Sequence, residues 1–321
     1  MKIKLLLIAT CAALLTTLSA ASVRAQSAAN KQRVKREVAV TFDDLPATQS
    51  EPATMRYVIP KLIKSIKANG VPAIGFVNER KLYVDGKPDA GRVALLRLWL
   101  AAGLELGNHT FSHVSIDETA LAEYEENVIR GEALTKGLLA ERGERLRYFR
   151  HPQLRTGPTT EYKEALDKFL AERGYTVAPV TVDNNDYLFA DVYARAKRRG
   201  DKATMRRVVE AYIPYMEGIF AFFEKLSVDA LGYEVKQTLL LHASELNADH
   251  FDDLARMMKR RGYGFISLED ALKDRAYSLP EAQTTRGLSW LHRWMLAKGE
   301  TLQMEPAEPQ FITQLFGSYG R

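Results

Sequence analysis

The stretch Glu37-Val-Ala-Val-Thr-Phe42, followed at once by Asp43-Asp44-Leu-Pro46, decides the fold. Its alternating apolar residues predict a buried strand, and the acidic pair and the proline predict that the strand ends in a loop. The same kind of pattern recurs along the chain at residues 72–77, 104–107, 146–149, 176–182, 238–241 and 264–267. Helical patterns separate these strands, which is typical of parallel β/α units. Both an open doubly wound sheet and a barrel fit this order.

The helical patterns cover residues 54–68, 92–102, 160–173 and 249–261, together with a long one that ends near residue 142. Ser115 or Asp117 is expected to cap this long helix at its start. A helical insertion at residues 191–236 interrupts the rhythm, and a helical extension follows at residues 276–321. In the extension, Trp290 and Trp294 belong to an apolar stripe at helical spacing. The stripe indicates packing onto the sheet, with a sugar-stacking platform as the alternative.

Residues 1–25 have the composition of a secretory signal, with Lys2 and Lys4 ahead of an apolar run that ends in small residues. The run is too short for a membrane span, so we expect a secreted or periplasmic protein. Without this segment, 42 basic and 40 acidic residues remain, and the net charge falls from +5 to +2. A nucleic-acid partner is therefore not expected. The basic tract at 195–207 is interpreted as a solvated helix face, or alternatively as a contact with an anionic polymer.

Polar side chains gather just past the predicted strands. Four of the six histidines lie at these strand ends. The segments concerned are Asp43-Asp44, Asn108-His-Thr-Phe-Ser-His113, Arg150-His-Pro152, Asp183-Asn-Asn-Asp186 and His242. In parallel β/α folds the carboxyl ends of the strands carry the active site, so these side chains are the candidates for chemistry.

The pair His109 and His113 constrains the local backbone. Four extended residues span about 13 Å, which is too far for one metal ion, whereas one helical turn brings the two side chains within reach. We therefore expect the chain to coil directly after Asn108. With Asp44, the two imidazoles would form a two-histidine, one-carboxylate site that leaves positions open for water and substrate. The alternative is a pair of polar surface histidines.

These motifs resemble the polysaccharide deacetylases, carbohydrate esterase family 4. The resemblance covers about residues 36–275 and rests on Thr41-Phe-Asp-Asp44, Gly107-Asn-His-Thr-Phe-Ser-His113, Phe149-Arg150, Asp183 with Asp186, and Leu240-Leu-His242. It implies an irregular (β/α) barrel with seven strands. It also implies the following roles: Asp43 as general base, Asp44, His109 and His113 as ligands of zinc or a similar divalent ion, His242 as general acid, Arg150 as the residue that orients Asp43, and Asp186 as the residue that holds Arg150.

The reaction that the resemblance implies is removal of N-acetyl groups from an amino-sugar polymer or oligosaccharide. The metal would polarise the acetyl carbonyl and activate a water, Asp43 would take a proton from that water, and His242 would protonate the leaving amine. A guanidinium beside Asp43 is expected to favour its ionised form.

The loop after Arg150 departs from the family pattern. It places Gln153 near the expected oxyanion donor, and Tyr187 stands where a tryptophan is usual; Leu240 is a further candidate pocket residue. His151 is interpreted as either a substrate contact or a structural loop histidine. Two alternatives therefore stay open: an amidohydrolase that acts on a small non-sugar amide with the same site, and a metal-dependent glycan-binding protein without catalysis.

Overall fold

The computed structural model describes residues 36–317, so the predicted signal segment lies outside the described residues. The strands are β1 Arg36–Leu45, β2 Ile74–Val77, β3 Tyr83–Val84, β4 Lys87–Pro88, β5 Glu105–Asn108, β6 Tyr148–Phe149, β7 Thr176–Val177, β8 Gln237–His242 and β9 Tyr263–Phe265. The helices are α1 Pro52–Asn69, α2 Ala90–Ala101, α3 Leu121–Arg130, α4 Ala133–Ala140, α5 Thr160–Glu172, α6 Asp186–Arg198, α7 Lys202–Leu231, α8 Glu245–Arg260, α9 Leu268–Ala271, α10 Trp290–Ala297 and α11 Gln310–Gly317.

Seven strands form one sheet in the order β7-β6-β5-β2-β1-β8, with β9 also paired to β1. The pairs along this order that have a resolved register are parallel. After β7 the chain reaches the opposite edge of the sheet, where Val182 makes a parallel bridge with Leu239 of β8. The sheet therefore curls into an irregular barrel, and the prediction of a seven-stranded β/α barrel is confirmed.

The alternation within β1 sorts its side chains between two cores. Val38, Val40 and Phe42 pack in the large core between sheet and helices. Ala39 belongs to a smaller cluster inside the barrel, together with Phe76 and others. Because side chains alternate along a strand, the two-residue period that carries Ala39 inward also carries Thr41 and Asp43 toward the barrel interior.

The prediction of one continuous helix that ends near residue 142 is wrong. A short 3-10 turn at Ile116–Glu118 is followed by two separate helices, α3 and α4. Ala120 stands at the N-cap of α3, and neither Ser115 nor Asp117 caps it. The break lies at Gly131, where a Cβ atom would come within 2.5 Å of the Thr110 backbone. A side chain at this close approach would collide with the loop after β5.

The insertion consists of α6 and α7, and it begins at Asp186 rather than at residue 191. In the extension, Trp290 and Trp294 of α10 are buried. Their interpretation as packing residues is therefore confirmed, and the sugar-stacking alternative is wrong. No helix in the described part of the chain is long and apolar enough to cross a membrane.

Candidate metal centre and active site

Asp43 and Asp44 lie at the carboxyl end of β1, and their side chains diverge. Asp44 has a left-handed backbone (φ 68°), which turns it away from the direction that Asp43 continues along the strand. Asp43 is buried and lies opposite His242 in the register of β1 and β8. The two neighbouring carboxylates can therefore belong to different parts of one site.

His109 and His113 lie together, but not through the helical turn that the spacing predicts. The loop is irregular, and Thr110 (φ 64°) and His113 (φ 55°) are both left-handed. Asn108 Oδ1 accepts from the Thr110 amide at 2.7 Å, and Thr110 Oγ1 accepts from the His113 amide at 3.0 Å. These two side-chain hydrogen bonds take the place of the backbone hydrogen bonds of a helical turn, and they stabilise the loop between Asn108 and His113. The two imidazole centroids are 5.0 Å apart.

A backbone carbonyl fixes the tautomer of His109. Its Nδ1 lies 2.8 Å from the carbonyl oxygen of Arg150. Because a carbonyl only accepts hydrogen bonds, Nδ1 carries the proton and Nε2 keeps its lone pair. That Nε2 lies 3.7 Å from Asp43 Oδ2, at the mouth of the site. The arrangement is the one that a metal-ligating histidine requires.

The residues predicted as metal ligands fit a divalent cation. One ligand atom from each of Asp44, His109 and His113 lies within 4.8 Å of the others. Burial is the main cause that lowers the pKa of each histidine to about 4, so both imidazoles are neutral at neutral pH. Burial alone would raise the pKa of Asp44, but the charge of Lys81 holds it well below its usual range. The donor set therefore offers one anion and two neutral nitrogens.

Lys81 is a member of this site that the sequence patterns did not indicate. Its Nζ lies 3.7 Å from Asp44 Oδ2 and donates to the carbonyl oxygen of Ala47 at 2.9 Å. It lies beyond β2, where only the fold brings it beside the loop after β1. No local motif marks such a lysine in the sequence.

Arg150 lies fully buried beside Asp43, as predicted. Its Nε is 3.9 Å from Asp43 Oδ1, and its Nη2 donates to Thr41 Oγ1 at 2.9 Å. The guanidinium also lies over the ring of Phe76, 4.7 Å from its centroid. The expected effect on Asp43 is only partly present: burial raises its pKa and outweighs the lowering by Arg150, so the net direction is upward.

Asp186 holds His242 rather than Arg150, so that part of the prediction is wrong. Asp186 Oδ1 lies 2.6 Å from His242 Nδ1, and Oδ2 accepts from the His242 amide at 2.9 Å. Asn247 adds a third bond, from its Nδ2 to Asp186 Oδ2 at 2.8 Å. Asp186 is the first residue of α6, and the first turn of α6 faces the end of β8. The Asp186 carboxylate therefore lies next to the His242 ring.

This carboxylate changes the proton affinity of His242. Burial lowers the pKa of His242, but the charge of Asp186 and its hydrogen bond, together with Asp44 and Asp43, raise it to about 9. The imidazole is therefore protonated at neutral pH, as a general acid must be. Asn247 was missed by the sequence patterns, although it lies in the first turn of α8, five residues after His242.

A cavity of about 580 Å³ opens above these residues. The three predicted pocket residues, Gln153, Tyr187 and Leu240, all line it. Gln153 has a left-handed backbone (φ 56°), and the Tyr187 ring meets the His242 ring edge-on at 6.2 Å. Asp183 also lines the cavity, and its pKa is raised to about 7, chiefly by burial.

The C-terminal extension supports the loop that carries Gln153. A Cβ at Gly287 would lie 2.0 Å from the Gln153 carbonyl oxygen, so the two backbones are in direct contact. Arg293 is fully buried, and its Nη2 donates to the carbonyl oxygen of Leu154 at 2.8 Å. Its Nη1 lies 3.2 Å from Thr156 Oγ1. The extension is thus a wall of the cavity.

His151 is buried outside this cavity. Its ring packs edge-on against Phe149 at 5.0 Å, and neither ring nitrogen has a hydrogen-bond partner among the described residues. Burial holds its pKa well below the usual range. The structural interpretation of His151 is therefore favoured over a substrate contact.

The sequence profile of the family described as polysaccharide deacetylase matches residues 30–178. Over this segment the chain is similar to the polysaccharide deacetylase family. The segment contains the candidate base Asp43, the three candidate metal ligands and Arg150. No curated protein sequence matches the chain.

Solved structures similar to this chain include members of the same esterase family. A CE4 esterase from Streptococcus mutans is 18% identical, with 73% of this chain and 87% of that chain covered and a TM-score of 0.50. A family 4 carbohydrate esterase from Streptomyces lividans, in complex with acetate, is 18% identical over 74% of this chain and 95% of that one, with a TM-score of 0.46. A CE4 family pseudoenzyme from Bacillus anthracis is 14% identical over 75% and 67%, with a TM-score of 0.47.

The matched segment thus supplies the candidate metal ligands, whereas Asp186 and His242 lie beyond residue 178. The barrel brings the two parts together, because β8 pairs directly with β1.

Proposed function

We propose that this chain is a metal-dependent hydrolase that removes N-acetyl groups from an amino-sugar polymer or oligosaccharide. One observation carries the proposal. Asp43 has its carboxylate 3.7 Å from His109 Nε2 and 3.9 Å from Arg150 Nε, and it faces His242 across neighbouring strands. A candidate base, acid and metal-ligand cluster therefore border one cavity.

The chain's own residues suit the two proton transfers of amide hydrolysis. Asp43 accepts a proton from the attacking water, and burial, by raising its pKa, makes it a stronger base. His242 holds a proton at neutral pH and donates it to the departing amine. Arg150 positions Asp43, and Asp186 holds His242 in its protonated form. A divalent cation held by Asp44, His109 and His113 would supply Lewis acidity toward the acetyl carbonyl and lower the pKa of a bound water.

Zinc is the ion we propose, because a site with two imidazoles and one carboxylate matches its preferred ligands. The proposed location is outside the cytoplasm, either secreted or periplasmic, and it rests on the composition of residues 1–25.

A second candidate is an amidohydrolase that acts on a non-sugar C–N bond. It is favoured by the cavity wall that Gly287 and the loop around Gln153 form, because this wall shapes the space where a sugar would lie. A glycan-binding protein without catalysis is less favoured, since binding alone has no need of the Asp186–His242 pair.

Acetate release from N-acetylglucosamine oligomers and from small amides, with and without added zinc, tests the proposal. The D43N variant is expected to lose at least about a thousandfold in kcat while it binds zinc as before. D191N is the matched control, since Asp191 lines the same cavity and is paired with Arg195, away from the cluster. Full activity of D43N would refute the assignment of the base, and turnover of small amides alone would favour the second candidate.

A further inference from the structure

A groove with basic and aromatic walls continues from the candidate metal centre. Its inner part, a cavity of about 410 Å³, is lined by His113, which also lines the catalytic cavity. Its outer part, of about 520 Å³, shares Arg80, Tyr83 and Phe111 with the inner part and ends at Arg130. The outer and inner parts thus share three lining residues, and the inner part shares His113 with the catalytic cavity, so the three cavities adjoin one another. We call this the basic groove.

The aromatic residues hold the groove in shape. Phe111 and Tyr83 meet edge-on at 5.6 Å, and the Phe111 carbonyl accepts from the Arg80 amide at 2.9 Å. The guanidinium of Arg130 lies over the Phe111 ring, 4.0 Å from its centroid. A guanidinium that lies over a ring keeps the N–H donors at its own edge available to a planar anion.

Lys81 of the groove is paired with Asp44, whereas the outer arginines have no carboxylate partner in the described part of the chain. Neither Arg80 nor Arg130 forms an ion pair with any residue between 36 and 317, although Asp85 lies at the outer end. The catalytic cavity differs, because Asp43, Asp44 and Asp183 line it and would balance the charges of the proposed cation and of His242. The groove therefore suits an anionic part of a ligand whose other end lies at the metal centre.

We propose that Arg80 and Arg130 form a subsite for the oxyanion of an acidic sugar next to the acetylated one. The inference rests on the proposed deacetylase function and narrows its substrate to an acidic N-acetylated glycan. Phe111 and His113 are two residues apart, so their Cα atoms are at most about 7 Å from each other. The groove therefore lies beside the catalytic cavity rather than within it, so the anion would belong to a sugar next to the acetylated one. Carboxylate and sulfate share the chemistry that two guanidinium groups recognise.

The test compares three tetrasaccharides: a neutral N-acetylglucosamine oligomer, one that alternates N-acetylglucosamine with glucuronate, and a 6-sulfated N-acetylglucosamine oligomer. The R80Q/R130Q variant is expected to lose roughly tenfold or more in kcat/KM on an acidic oligomer, mainly through KM, with the neutral oligomer unchanged. R142Q/R145Q is the control, because both arginines line a cavity at the opposite, amino-terminal end of β5. Comparison of the glucuronate and sulfate oligomers identifies the anion.

Calorimetric binding of the same oligomers to the D43N protein separates this inference from the proposed function. Tighter binding of an acidic oligomer that R80Q/R130Q abolishes supports the subsite even if the chain hydrolyses no glycan. Added salt should weaken that preference. Equal binding of neutral and acidic oligomers, or equal losses on both in R80Q/R130Q, would overturn the subsite.

Discussion

The contact between Asp186 and His242 gives a quantitative prediction for the D186N variant. Asparagine keeps the shape of the side chain but removes the charge that lies 2.6 Å from His242 Nδ1. With Asp186 beside it, His242 has its pKa raised to about 9. Without that charge, burial opposes the remaining pull of Asp43 and Asp44, and the pKa returns toward the usual value of about 6.5.

The magnitude follows from the fraction of His242 that holds a proton. At pH 8 a group of pKa 9 is about 90% protonated, and a group of pKa 6.5 is about 3% protonated. The kcat of D186N at pH 8 should therefore fall about 30-fold, with a much smaller loss at pH 6. A bound cation would lower the pKa of His242 in both proteins, so the quantity to compare is the displacement of the alkaline limb.

The assay is acetate release across pH 5.5 to 10 for the wild type, D186N and the control D191N. The alkaline limb should move to lower pH by about 2.5 units in D186N and stay in place in D191N. An alkaline limb that coincides in all three proteins would show that His242 is not the acid that Asp186 keeps protonated.

Three further predictions concern the supports of the site. G131A should bind zinc roughly tenfold more weakly, as measured by calorimetry, because its Cβ would meet the Thr110 backbone at 2.5 Å. The control G137A should bind zinc as before, because the space around Gly137 is open. R293M should lower the free energy of unfolding in urea by about 3 kcal/mol, since it leaves the carbonyl oxygens of Leu154 and Arg286 without their donor. R293K should recover part of this loss. Equal stability of the wild type, R293M and R293K would contradict the account. In the metal-free protein, burial lowers the pKa of His113 to about 4. The neutral imidazole therefore contributes its full share of stability above about pH 6.5, and this share is lost as the pH falls toward 4. The H113Q variant should lose less unfolding free energy than the wild type over that pH range.

The barrel could be predicted from the sequence because strand alternation is a local signal. All seven predicted strands are present and form the seven-stranded sheet. The period of β1 also explains why Asp43 points inward. Helix boundaries were predictable where a stop signal is local, as at Gly70, which ends α1 in a left-handed cap.

The errors arose where tertiary contacts decide the local structure. The predicted helix before residue 142 breaks at Gly131 because the loop after β5 approaches it, and that loop is distant in sequence. The spacing of His109 and His113 correctly predicted that the two side chains lie close together. It did not predict the backbone conformation, since two left-handed residues take the place of the expected helical turn. The partner of Asp186 depends on how α6 meets β8, and no spacing rule contains that information.

The most direct test of the central claim is the zinc stoichiometry of the purified chain, measured by calorimetry. We expect one zinc ion per chain for the wild type and for D43N, and none for D44A/H113A. The H250A variant is the control, because His250 pairs with Asp253 on α8, away from the cluster. Retention of one tightly bound zinc by D44A/H113A, or its loss from H250A, would contradict a metal centre formed by Asp44, His109 and His113.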